Sequence, residues 1–164
     1  MKLDLFYTTS QVSSSDFVTK ILRKYFAIKN PVYYRNENGK PYLADNSLYF
    51  SLSHSGGITA AAVCEREVGL DIQAETGRKC PSVLSRLTEA EKKEDFFYLW
   101  TAKEAYVKLR GSTLAADLPS LEYKDGALYH NKKKVPYRFL RYRVGDVLFC
   151  ICVSHAEEMT VREI

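Results

Sequence analysis

Apolar and polar residues alternate from Lys2 to Tyr7, a period of two that predicts a strand. Ser13-Ser-Ser-Asp16 then offers N-cap residues for a helix carrying Phe17, Ile21, Leu22 and Tyr25 on one side and Lys20, Arg23 and Lys24 on the other. Val32–Tyr34 and Pro41–Leu43 flank the polar turn Asn36–Lys40, a hairpin-like arrangement. Leu48–His54 and Ile58–Val63 read as two strands around Ser55-Gly-Gly57, and the small apolar residues of the second suit a strand covered on both faces. Glu67–Gln73 is a third strand, and its internal Gly69 marks close approach of a ligand or of another backbone.

The pattern changes period after Thr88-Glu-Ala-Glu91, a capping box. Glu94 to Leu109 is rich in Lys, Glu, Ala and Leu without Gly or Pro, which predicts a helix with a break near Asp95 and a left-handed cap at Gly111. Trp100, Glu104 and Lys108 are spaced four apart and share one face of it. Leu121–Tyr123 and Ala127–Tyr129 bracket Asp125-Gly126, a hairpin signal, and Val135–Val144, Val147–Ser154 and Met159–Arg162 supply further strands. Leu52–Thr59 echoes Val153–Thr160, so two similar α+β halves are expected, 1–66 and 67–164.

Composition narrows the class. The 164 residues suffice for one domain with its own core, and no apolar run reaches membrane-span length. The N-terminal Met1–Tyr7 carries an early acid and no signal-peptide core. Cys150 and Cys152 share a strand face as core thiols, and without CxxC spacing the four cysteines suit a cytoplasmic protein. A formal charge of +4 favours an acidic partner, whereas Lys132–Lys134 reads as a solvated turn and the tyrosines form no stacking pattern for nucleic acid.

Chemistry concentrates in a few residues. Asp71 and Glu104 are two carboxylates with free coordination positions, as Mg²⁺ needs when waters and substrate phosphates complete its shell. Lys103 and Lys108 flank the acid as point charges for phosphate, and His54 sits among Ser and Gly residues that leave room for a ligand. In order, Gly39-Lys-Pro41, Phe50-Ser-Leu-Ser-His-Ser55, Val68-Gly-Leu-Asp71 and Trp100-Thr-Ala-Lys-Glu-Ala-Tyr-Val-Lys108 resemble the 4′-phosphopantetheinyl transferase superfamily, in its surfactin-synthetase-activating type.

That resemblance, which runs from about Gly39 to Gly111, implies an α+β fold of two halves related by a pseudo-two-fold, with the active site in the cleft between them. It implies transfer of the phosphopantetheine arm of coenzyme A to a serine of an apo acyl or peptidyl carrier protein, acidic in character, with release of adenosine 3′,5′-bisphosphate. By the same resemblance Asp71 and Glu104 hold Mg²⁺, with Mn²⁺ as the alternative, Glu104 is the candidate base, and Lys108 sits on the pyrophosphate. Ser53 and His54 bind coenzyme A phosphate, and Lys40 and Pro41 lie beside the adenine. Neither nucleic acid nor membrane is a partner, and a monomer is expected. Two departures stand out. The family's Asp-x-Glu reads Asp71-Ile-Gln73, which leaves Gln73 to meet the metal through its carbonyl or a water and without charge. The basic N-terminal arm of longer members has no counterpart, leaving Arg23, Lys24 or Arg35 as substitutes at the 3′-phosphate. The rival readings are a coenzyme A-binding protein that has lost transfer and a basic nucleic-acid-binding domain.

Overall fold

The computed structural model of the chain describes residues 2–76, 81–156 and 158–164, so the reading of Cys80 lies outside the described residues. Its first stretch runs β1 (Lys2–Thr8), α1 (Ser14–Tyr25), β2 (Tyr33–Arg35), β3 (Pro41–Leu43), β4 (Tyr49–Ser55), β5 (Ile58–Cys64) and β6 (Val68–Ala74). A short helix α2 (Pro81–Leu84) and a 3₁₀ turn (Glu91–Lys93) lead to the long α3 (Phe96–Arg110) and the short α4 (Leu114–Asp117). Then come β7 (Leu121–Lys124), β8 (Ala127–His130), β9 (Lys133–Lys134), β10 (Arg138–Val144), β11 (Val147–Val153) and β12 (Glu158–Glu163). No helix among the described residues is long and apolar enough to cross a membrane.

Two sheets carry the structure, one in the order β12-β1-β5-β4 and the other β10-β11-β6. Strand alternation sorts their side chains. Leu3, Leu5, Ala60 and Ala62 of the first sheet meet Leu70, Ile72, Phe149 and Ile151 of the second in one core. The other face of the first sheet (Phe6, Phe50, Ala61, Val63) packs on Phe17, Val18, Ile21 and Leu22 of α1. The other face of the second sheet (Cys150, Cys152) packs on Leu99, Ala102, Ala105 and Leu109 of α3. Both cysteines are therefore free core thiols, as their spacing predicts.

The helices end where their caps dictate. Ser13 and Asp95 accept the N–H groups of Asp16 and Tyr98, which places the start of α3 one residue after the expected break. The capping box forms as read: Thr88 Oγ1 accepts Glu91 N–H (3.2 Å) and Glu91 Oε2 accepts Thr88 N–H (3.1 Å). Gly111 closes α3 at φ +63°. The Leu52–Thr59 and Val153–Thr160 echo leads to different outcomes. β5 folds back antiparallel on β4, whereas β12 crosses to pair parallel with β1 in the other sheet.

Two contacts fix β6. Among the described residues its outer edge has no strand partner; Leu70, Ile72 and Ala74 N–H instead donate to Ser51, Ser53 and Ser55 Oγ of β4 at 2.9, 3.2 and 3.0 Å. Three hydroxyls at a period of two thus satisfy a buried edge that would otherwise leave three donors orphaned. On its α3 face, Gly69 lies against the helix backbone. A Cβ there would stand 1.8 Å from Ala105 O and 2.6 Å from Leu109 N. The close approach marked by Gly69 is thus to a backbone. Gly69→Ala must push α3 off β6, and we expect a loss of about 3 kcal/mol or more, the upper end for overpacking, in urea unfolding.

Candidate active site

Because Gly69 admits α3, the next residue on the same face of β6, Asp71, lies under that helix. Lys108 Nζ donates to Asp71 Oδ1 at 2.7 Å and to Ser53 Oγ at 3.1 Å. Ser53 Oγ in turn donates to Asp71 Oδ1 at 3.1 Å while accepting Ile72 N–H. One donor and two acceptor positions are thereby filled, the full capacity of a hydroxyl. One turn before Lys108, Glu104 lies on the same face of α3 as Trp100. Burial pushes the Glu104 pKa up to about 7, Asp71 adds to the rise, and Lys108 and Trp100 oppose it.

The residues singled out in the sequence do not all meet. Asp71, Glu104, Lys108 and Ser53 form one cluster. Lys103 does not join it: adjacent helix positions point about 100° apart, and its side chain is buried in an ion pair with Glu91 on the far side of α3. The expectation that Lys103 neutralises phosphate is therefore corrected to a structural role. Ser53 is likewise bound within the cluster, with no capacity left for a phosphate.

His54 is exposed on the opposite side of β4 from Ser53, because consecutive strand residues alternate. It borders a separate pocket of about 470 Å³ with Ser10, Ser13 and Ser14. Gln73 shares the Asp71 face, and its amide nitrogen donates to Ala74 O at 3.3 Å, so its side-chain carbonyl is the atom that could meet a cation.

Lys40 and Pro41 border a pocket of about 410 Å³ between α1, the β2–β3 hairpin, β4 and the end of α3. Arg35, Lys40 and Lys108 line it, and among the described residues no Asp or Glu does. The Lys40 ammonium is engaged at the helix end, donating to Leu109 O (2.9 Å) and Glu67 Oε2 (2.8 Å). Asn36 and Asn38 amides complete this clasp by donating to Gly111 O at 2.8 and 2.9 Å. Of the three basic substitutes, Arg35 lines this pocket; the Arg23 guanidinium bonds Lys29 O, and the Lys24 ammonium lies over the Tyr25 ring. Ser14 and Ser51, missed as pocket residues, border it as well. The alternation Ser51-x-Ser53-x-Ser55 was the available signal.

Among the described residues, no three His, Cys, Asp or Glu side chains gather as a protein-only metal cage. Asp71 and Glu104 fit a Mg²⁺-type ion that takes one or two carboxylates and draws its other ligands from water and substrate. The raised proton affinity of Glu104 comes first from its burial and then from the neighbouring Asp71 carboxylate.

Known proteins carry the same pattern. The profile of the 4′-phosphopantetheinyl transferase superfamily matches residues 67–152, just over half of the chain and all of β6 and α3. The 4′-phosphopantetheinyl transferase gsp of Aneurinibacillus migulanus is 26% identical over 80% of this chain and 62% of its own length. The transferase psf-1 of Bacillus pumilus is 34% identical over 51% of this chain and 41% of its own, and AcpT of Salmonella typhi 38% over 47% and 48%. The chain therefore spans about two fifths to three fifths of the length of these curated relatives. With the matched segment supplying Asp71, Glu104 and Lys108, the chain belongs to the 4′-phosphopantetheinyl transferase superfamily.

Proposed function

We propose that the chain moves the 4′-phosphopantetheine arm of coenzyme A to a serine of an apo acyl or peptidyl carrier protein, releasing adenosine 3′,5′-bisphosphate. The observation that carries this is the cluster of Asp71, Lys108 and Glu104 beside a pocket lined by three cations and no carboxylate. A pyrophosphate needs such cations for positioning and for charge neutralisation, which are most of what phosphoryl-type transfer asks of a protein.

In this reading the nucleotide phosphates enter the pocket, with Arg35 and Lys108 as their cations and Pro41 beside the base. His54, whose pocket shares Ser14 with it, is the further phosphate donor. Asp71 and Glu104 would hold Mg²⁺ or Mn²⁺, and Gln73 would offer a neutral oxygen. The ion would neutralise the pyrophosphate oxygens. Glu104 takes the proton of the carrier serine as its oxygen attacks phosphorus. The phosphorus–oxygen bond to the nucleotide breaks, and Lys108 meets the charge on the leaving phosphate.

The halves 1–66 and 67–164, with the site in the cleft between them, belong to the same proposal. It is supported by matched strand orders, β1-β5-β4 and β6-β11-β10, each antiparallel with its last-formed strand in the middle. One chain then supplies both sides of the site, which makes the enzyme a monomer. A charge of +4 suits an acidic carrier, and three buried free thiols suit a reducing, cytoplasmic setting.

The test is intact-mass spectrometry of an apo acyl and an apo peptidyl carrier after incubation with the chain, coenzyme A and Mg²⁺. We expect a gain of one phosphopantetheine arm, lost with chelator and nearly abolished by Asp71→Ala or Glu104→Ala. Coenzyme A binding without any gain on either carrier would instead support a binding-only protein. A Gln73→Glu variant should bind Mg²⁺ more tightly by calorimetry, and unchanged affinity would remove Gln73 from the metal site.

Proton linkage gives a further outcome in metal-free protein. Glu104 ionises near 4.5 when unfolded and near 7 when folded, so the folded chain holds more protons between those values. Stability contributed by this group therefore falls as pH rises from about 4.5 to 7 and stays low above. Glu104→Gln should melt higher than the parent at pH 8, with the difference shrinking toward pH 4.5.

A further inference from the structure

Lys108 faces two demands that one ammonium cannot meet in full. It donates to Asp71 at 2.7 Å and to Ser53 at 3.1 Å, yet its side chain also lines the anion pocket. Of its neighbours there, the Lys40 ammonium is held by Leu109 O and Glu67, and the Arg35 guanidinium donates to Gly39 O at 2.6 Å. The Lys108 side chain is 31% exposed and flexible, whereas the Asp71 side chain is 7% exposed and anchored. An anion in the pocket pulls Lys108 one way; Asp71 pulls it the other.

We propose that Lys108 is an exchangeable counter-ion, held by Asp71 in the free protein and drawn off by an anion in the pocket, so that a divalent cation can then take Asp71. The proposal rests on the transferase reading for the identity of the metal and of the phosphates. Ser53 makes the exchange workable. Its hydroxyl, fixed by Ile72 N–H, keeps donating to Asp71 at 3.1 Å when the ammonium leaves, so the carboxylate stays in place. Asp71 thereby stays neutralised until both co-substrate phosphate and metal are present. Because coupling between two ligands is reciprocal, each strengthens the binding of the other through Lys108 alone, apart from any contact between them.

The experiment is Mn²⁺ titration of the full chain, followed by electron paramagnetic resonance without coenzyme A, for the parent, Lys108→Met and Lys108→Arg. Sulfate, a weak Mn²⁺ ligand, serves as the pocket anion, and thermal melts confirm that each variant is folded. Lys108→Met should bind Mn²⁺ roughly tenfold more tightly, the equivalent of one charge-assisted hydrogen bond removed from Asp71. Lys108→Arg, which keeps the pairing, should stay near the parent. Sulfate should tighten Mn²⁺ binding to the parent and leave Lys108→Met unchanged. Equal or weaker Mn²⁺ binding by Lys108→Met, or an equal sulfate effect in both proteins, would overturn the exchange. Carrier modification by the same parent preparation separates the two readings. If modification proceeds while the Mn²⁺ pattern fails, only the exchange falls; if modification fails, the transferase reading falls regardless of the Mn²⁺ result.

Discussion

The approach of the α3 backbone to Gly69 is the constraint on which the rest of the site depends. Any side chain at that position would overlap Ala105 O, so the helix can cross β6 this closely at a glycine and nowhere else along the strand. With the backbones that near, one residue farther along the same face of β6 falls under the next turns of α3. Asp71 is that residue, and Lys108 reaches it. On the other side, the three serines of β4 hold the edge of β6 and hand one hydroxyl to the same carboxylate. The site forms where a helix contact and a strand-edge contact converge on a single strand.

The two lysines of the Trp100–Lys108 stretch divide into different work by rotation about the helix axis. Lys108 falls on the β6 side. Lys103 falls on the other, where it pairs with Glu91, whose second oxygen closes the Thr88 capping box. A pair this buried gains little net stability, but removing one partner would strand a charge. Glu91 Oε1 also accepts Tyr123 N–H, so the pair ties α3 to β7. At the far end, Lys40, Asn36 and Asn38 seat the β2–β3 hairpin on the last carbonyls of α3, where the helix dipole favours a cation. That docking makes one wall of the anion pocket, so Lys40 shapes the pocket while its charge is spent on the helix.

Periodicity made the elements legible, and spacing made the cluster legible. The strand at β1, the N-cap at Ser13, and Trp100, Glu104 and Lys108 at intervals of four reappear in three dimensions, although β1 buries Leu3 to Phe6 without a break and the Asp95 break proves to be the N-cap of α3. What spacing does not encode is the partner on each face. Ser53 and His54 are adjacent in sequence, yet strand alternation sends one to Asp71 and the other to a separate pocket, and only the position of β6 decides which. Lys103 and Lys40 look alike as free cations until Glu91 and Leu109 O are placed beside them. The Leu52 and Val153 echo fails for the same reason, since where a strand goes after a turn is settled by the edge available to it, here β1 for β12.

Gln73 gains meaning from Lys108. In the Asp-x-Glu pattern, a third carboxylate would share the work of attracting a divalent ion, and one lysine on Asp71 would matter less. Here that position is neutral, so Asp71 and Glu104 carry all of the side-chain charge on this face of the cluster. Lys108 cancels part of it, while burial, ahead of the Asp71 charge, raises the Glu104 pKa. Two acids and one lysine leave one negative charge, enough to favour an incoming divalent ion but not to hold it firmly against water. In the proposed reading, an ion so placed would depend on substrate phosphates for its remaining ligands and for the release of Lys108, and the neutral Gln73 would shift control of the metal from the protein to the substrate.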